Sequence, residues 1–401
     1  MATMMQNQPL PPTGSRGDDG MDAPVVLSNA QVVTPEAAFA GSVVIRDGLV
    51  EEVRPDTIDV ADAVDCAGDL VMPGMVDLHT DNLESQARPR PGVYWDAVSA
   101  AVAHDGLIAS VGITTVFDSL VVGLRDEDQA RHDLLDGLVA ALRAGAQDDL
   151  FRAEHCLHLR CELTDPNLFD RVIPFLNEPT LRLISLMEHT AGQRQFANEA
   201  KYRELLVKRY GKREEEVDRL MADDREASRT FAPEYRARMA AMAQEHGLPV
   251  ASHDDETVEH IREASALGVA IAEFPTTLAA ARSARAAGQV IVAGAPNMVR
   301  GSSQAGNVSV ADLAAERLID VIASDYVPVA LLRAALMLCD GDSPYTLPEA
   351  VATVTRNPAR AVGLDDRGEI RSGARADLIR VRRHGRQPLV RAVWRAGRRV
   401  A

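Results

Sequence analysis

Between residues 75 and 325 the chain alternates short runs rich in Val, Ile and Leu with longer polar stretches of helical character. Eight such runs stand out: MVDLHTD (75–81), TTVFDSL (114–120), LHLRCEL (157–163), LRLISLMEH (181–189), LPVASHD (248–254), VAIAEFP (269–275), QVIVAGAP (289–296) and LIDVIASD (318–325). Near-continuous apolar strands, each followed by a helix, predict a parallel sheet buried on both faces. Eight of them predict a closed α/β fold, a (β/α)8 TIM-like barrel spanning residues 73–367, with an open doubly wound sheet as the alternative.

The two ends of the chain have a different rhythm. VVLSNAQVV, GSVVIRDGLVEEV with Asp47-Gly48 at a hairpin position, and AVDCAGDLVMPG read as short strands joined by turns. The far end, GEIRSGARADLIRVRRHGRQPLVRAVWRAGRRV, has the same character. Residues 24–72 and 368–401 are therefore expected to pair into one small β-sandwich domain, since chain ends often lie close together. Residues 1–23 lack the basic start and apolar stretch of a secretory signal and read as a disordered leader. Residues 191–246 are dense in both charge signs and read as two or three solvated helices inserted after the fourth barrel strand.

Composition narrows the function. Every apolar stretch is interrupted well before the roughly 18 residues that a membrane span needs, so no membrane partner is expected. The 43 Lys and Arg against 59 Asp and Glu leave a net charge of −16, the wrong sign for a general nucleic-acid binder. Cys66, Cys156, Cys161 and Cys339 form neither a CxxC pair nor a disulfide framework, which fits a reducing cytoplasm. The sequence allows a homo-oligomer without requiring one.

The chemistry gathers at strand ends. Five of the eight runs finish in groups that bind metal: His79 and Asp81, Glu162, His189, His253, and Asp325. In a barrel the C-terminal strand ends share one face, so these residues should converge. Imidazoles and carboxylates suit zinc, manganese or iron, and six ligands exceed what one tetrahedral ion takes, so two divalent metal ions are expected. Singly, a strand-end His is more often structural and an Asp more often a helix cap; the coincidence of three His among ten beside acids favours a site. His155 and His158 are left out of the ligand set, Cys161 is read as core, and Tyr94 and Trp95 as loop packing. Asp254 and Asp255 read equally as supports of His253 or as caps of the next helix.

Arg88 and Arg90 in ARPRPG, Arg194 in GQRQF and Arg300 in NMVRGSS fall on loops of the same presumed face. Arginine suits two-pronged phosphate binding, and Gly301 and Gly306 would let backbone N–H groups approach an oxyanion. A phosphorylated substrate is the expectation.

PGMVDLHTDN with His79-x-Asp81, the later His, His and Asp, and TRNPARAVGLDDRGEIRSGARADLIRV near the end resemble the amidohydrolase superfamily. The motifs LHTDNLESQARPRPGVYWD, HLRCELTD, EHTAGQRQF, SHDDET, GAPNMVRGSSQAGN and ASDYVP are similar to those of the alpha-D-ribose 1-methylphosphonate 5-triphosphate diphosphatase family of the carbon–phosphorus lyase pathway. The resemblance implies that His79 and Asp81 bind one metal, that Glu162 bridges, that His189 and His253 bind the other, and that Asp325 orients or deprotonates the attacking water. Many superfamily members carry His-x-His and a carboxylated lysine where this chain has Asp81 and Glu162. It also implies cleavage of a ribose 1-phosphonate 5-triphosphate to the 5-phosphate and pyrophosphate. A cyclic amidase of the dihydroorotase or hydantoinase kind is the alternative, disfavoured by the arginine and glycine loops; a non-catalytic scaffold is disfavoured because all six ligand positions are filled.

Overall fold

The computed structural model describes residues 23–90, 92–123, 129–211, 213–303, 306–341 and 343–401, so the expected leader lies almost wholly outside the described residues. The N-terminal part builds β1 (Val25–Val33), β2 (Ala38–Arg46), β3 (Leu49–Arg54), β4 (Val64–Asp65) and β5 (Leu70–Pro73). The eight expected barrel strands follow as β6 (Met75–Thr80), β7 (Ile113–Val122), β8 (Glu154–Glu162), β9 (Leu181–Met187), β10 (Val250–His253), β11 (Ile271–Glu273), β12 (Val290–Gly294) and β13 (Val321–Ala323). The chain ends with β14 (Leu378–His384), β15 (Gln387–Arg395) and β16 (Arg398–Arg399).

Strands β6 to β13 pair in chain order as one parallel sheet. The sheet closes where Thr80 bridges Asp325: Asp325 N–H donates to the His79 carbonyl and Asp81 N–H to the Asp325 carbonyl, both at 2.9 Å. Val76, Leu78, Phe117, Cys156, Leu183, Ala251, Ile271, Val292 and Val321 pack together in a buried core cluster to which all eight barrel strands contribute. Complete burial of one such large apolar side chain contributes roughly 1.5–3 kcal/mol. Two larger clusters lie between the strands and the surrounding helices.

The terminal strands form a second sheet in the order β16-β15-β14-β5-β1-β2-β3, with β4 added beside β1. It is one mixed sheet drawn from both chain ends, its core made by Leu27, Val32, Val43, Val50, Val71, Leu378 and Trp394. Asp47 and Gly48 have φ of 52° and 79°, the pair of positive values that a two-residue hairpin needs. Where β5 passes into β6, Gly74 lies so close to Thr114 that a Cβ would meet its Oγ1 at 2.4 Å. Arg367 and Arg375 both bond Glu154, the first residue of β8, so this sheet abuts the end of the barrel opposite the strand C-termini.

After β9 come the helices Glu199–Tyr210 and Glu214–Glu245. The second is less solvated than its charge suggests. Ala232, Met239, Ala240 and Ala243 join the core around the barrel, which makes its C-terminal half the return helix of the fourth unit. Among the described residues no helix is long and apolar enough to cross a membrane.

Candidate metal centre

Three histidines at strand ends are each gripped by a carboxylate through Nδ1. His79 Nδ1 lies 2.8 Å from Glu273 Oε1, His189 Nδ1 2.8 Å from Glu162 Oε2, and His253 Nδ1 2.7 Å from Asp254 Oδ2. A carboxylate only accepts, so each ring carries its proton on Nδ1 and keeps Nε2 for something else, the orientation that metal-binding histidines take. Their rings gather, with centroids 5.8 Å apart for His79 and His253 and 6.2 Å for His189 and His253.

Asp81 and Asp325 complete the cluster. Ligand atoms of His79, Asp81 and Asp325 form one close group, and those of His189, His253 and Asp254 another. Both groups border a cavity of about 190 Å³, lined by His79, Asp81, Arg160, His253, Asp254 and Asp325 among others. Three residues just past strand ends adopt φ near +56°: Asp254, Phe274 and Asp325. Positive φ is uncommon outside glycine, and at these positions it turns the chain sharply off the strand at the rim of the site.

The donors suit a cation. His79 Nε2 and Glu273 Oε2 are buried and have no hydrogen-bond partner among the described residues. Burial disfavours a charged His79, yet the Glu273 carboxylate beside it more than offsets this and raises its pKa to about 10. A place that holds a proton so firmly is electrostatically suited to a divalent ion. Burial pushes the Asp325 carboxyl up to about 6, with the Asp81 charge adding to the effect and His79 opposing it.

Glu162, the bridge that the resemblance implied, lies against His189. Its Oε2 holds His189, and its Oε1 accepts from Thr164 Oγ1 at 2.8 Å and the His189 N–H at 3.3 Å, so both oxygens are engaged with the protein. Glu273, Arg160 and Asp254 are the residues that sequence reasoning missed or left undecided. Glu273 ends an expected strand, as the chosen ligands do, and could have been found by that signal.

The four arginines divide. Arg194 is buried, with Nη1 at 2.6 Å from Asp255 Oδ1 and 3.3 Å from the His253 carbonyl, and Nε at 3.4 Å from Glu188. The expected loop arginine open to phosphate is instead an internal brace, because two buried carboxylates claim its charge. Arg300 is exposed, its Nη1 3.5 Å from the hydroxyl of Tyr326, which lines the cavity. Gly301 follows it in the left-handed conformation, φ 78°, capping the helix Ala295–Arg300. Arg88 and Arg90 are exposed outside the cavity lining, Arg88 lying 6.0 Å from the Tyr94 ring.

His158 sits behind His79, its Nδ1 3.1 Å from the Leu78 carbonyl, and burial pushes its pKa down to about 3. His155 belongs to a separate buried cluster. Its Nδ1 lies 2.7 Å from Asp118 Oδ2, whose other oxygen is 2.7 Å from His104 Nε2. Cys66, Cys156, Cys161 and Cys339 are free thiols.

The chain is 39% identical over 380 residues to the alpha-D-ribose 1-methylphosphonate 5-triphosphate diphosphatase of Escherichia coli K12, covering 94% of this chain and all of that one. N-acetyl-D-glucosamine-6-phosphate deacetylase from Mycobacterium smegmatis superposes with a TM-score of 0.62 at 17% identity, covering 94% of this chain and 100% of that one. A putative prolidase from Bifidobacterium longum gives a TM-score of 0.63 at 16% identity over 95% of each chain. With residues 108–401 matching the model of the amidohydrolase family and the barrel carrying the ligand cluster at its strand ends, the chain belongs to the amidohydrolase family.

Proposed function

We propose that this protein is a metal-dependent diphosphatase that hydrolyses alpha-D-ribose 1-methylphosphonate 5-triphosphate to the 5-phosphate and pyrophosphate, in the cytoplasm and in phosphonate catabolism. The end-to-end similarity to the Escherichia coli diphosphatase carries the choice of substrate. The three carboxylate-held histidines support hydrolysis at a centre of two divalent ions, with His79, Asp81 and Asp325 on one side and His189 and His253 on the other.

When bound, such ions lower the pKa of a water and draw charge from phosphoryl oxygens. The chain's own residues do the rest. Glu273, Glu162 and Asp254 keep the three Nε2 atoms aimed inward, so little reorganisation is needed at reaction. Asp325, in the same close group as His79 and Asp81, accepts a proton from the attacking water and returns it to the leaving group. Arg300, beside the cavity-lining Tyr326, binds the distal phosphates. A cyclic amidase would have no use for that exposed arginine.

The test is to mix the purified protein with ribose and ribonucleoside triphosphates and follow phosphorus NMR. Pyrophosphate with a 5-monophosphate product supports the reading; orthophosphate alone, or no turnover with any triphosphate alongside cleavage of a cyclic amide, overturns it.

A further inference from the structure

Arg160 lies inside the ligand cluster. It stands on β8 two residues before Glu162, and strand alternation turns both side chains to the same face. Its Nη1 donates to Asp81 Oδ1 at 2.7 Å and its Nη2 reaches His253 Nε2 at 3.3 Å. Because Asp254 fixes the His253 proton on Nδ1, Nε2 offers a lone pair, and Arg160 is donating to it. One guanidinium therefore spans the two ligand groups, taking one atom from each. Burial works against its charge, while Asp81, Glu273, Asp325 and Asp254 hold it in place. Its Nε is buried and has no hydrogen-bond partner among the described residues, so the fork is not saturated by the structural bonds they supply.

We propose that Arg160 is the centre's internal cation: it holds Asp81 and His253 in position before metal arrives and competes with a divalent ion for those same ligand atoms. This rests on the metal-dependent reading above. A lone pair accepts either an N–H or an ion, so filling the His253 side requires Arg160 to give up that contact. Arg160 thereby weakens binding at the His253 side, and once released it is a cation at the cavity wall, placed to face an anionic substrate.

The test is calorimetric titration of chelator-dialysed protein with Mn2+, alongside thermal melts with and without Mn2+, for wild type, Arg160→Met and Arg160→Lys. Arg160→Met should bind the weaker Mn2+ about ten- to a hundredfold more tightly, the scale of one charge-assisted hydrogen bond removed from competition. Without metal it should melt lower than wild type, since its carboxylates lose their counter-charge, and Mn2+ should raise its melting temperature more than it raises that of wild type. Arg160→Lys keeps the charge but cannot span both ligands, so its affinity should fall between the two and it carries the test if the Met variant does not fold. Both variants binding Mn2+ no more tightly than wild type overturns the proposal while leaving the metal-dependent reading standing. Failure of wild type and variants alike to bind any Mn2+ overturns that reading and this one with it.

Discussion

Glu273 Oε1 lies 2.8 Å from Nδ1 of His79, joining the sixth barrel strand to the first across 194 sequence positions. The contact sets which nitrogen of His79 faces the cavity and how strongly that nitrogen attracts a cation. Glu273→Gln keeps the size and removes the charge. It should lower metal affinity about 10- to 100-fold, the usual consequence of losing such a support, with the circular dichroism of the fold retained. Metal content after dialysis against a dilute chelator is the measurement, and unchanged retention would show that Glu273 does not govern the ligand.

His79→Ala and His189→Ala each remove an imidazole whose partner carboxylate remains. Both should lower metal occupancy per chain from the two ions expected, measured by atomic emission on protein prepared without chelator. A fully loaded His79→Ala protein would remove this residue from the ligand set.

Asp325→Asn retains a side-chain oxygen but cannot take a proton from water. Turnover should fall by about 10² or more, the scale of a general acid–base group, while metal content is largely kept. A near-normal rate would assign Asp325 to structure alone.

Arg194 and Arg300 should separate by readout. Arg300→Ala should reduce kcat/KM for a triphosphate roughly ten- to a hundredfold with stability unchanged, and Lys should rescue it in part. Arg194→Ala leaves buried Asp255 without its cation, while Glu188 keeps Arg236, and should cost about 3–5 kcal/mol in urea unfolding, as breaking a buried ion pair does. An Arg194→Ala protein as stable as wild type would refute the bracing role.

His155 predicts a pH dependence of the fold itself. Burial disfavours its charged form, but the Asp118 charge and the contacts with Asp105 and Asp118 more than offset this, raising its pKa from 6.5 to about 9. A folded value above the unfolded one means that the pairing stabilises fully below about pH 6.5 and is lost as pH rises through about 9. The urea midpoint should fall across that window, and His155→Gln should flatten the fall. Equal slopes in both proteins would take His155 out of the account.

The sequence by itself determined the barrel strands and the hairpin at Asp47-Gly48, because a strand buried on both faces must be apolar along its length and a two-residue hairpin needs positive φ at both positions. It also brought His79, Asp81, His189, His253 and Asp325 into view, since a barrel gathers strand ends wherever they fall in the chain. Only the tertiary structure decided how charge is shared among them. Whether an arginine grips a ligand or braces the fold depends on which carboxylates lie against it: Asp255 at 2.6 Å and Glu188 at 3.4 Å claim Arg194, while Arg300 stays at the surface beside Tyr326. Glu162 holds His189 and accepts from Thr164, Arg160 reaches Asp81 and His253 from the same strand, and Glu273 joins His79 from the end of the sixth. The pairings of Glu273 with His79 and of Arg160 with Asp81 and His253 join residues far apart in sequence through distances that closing the barrel sets, and no local pattern of apolar and polar positions encodes them.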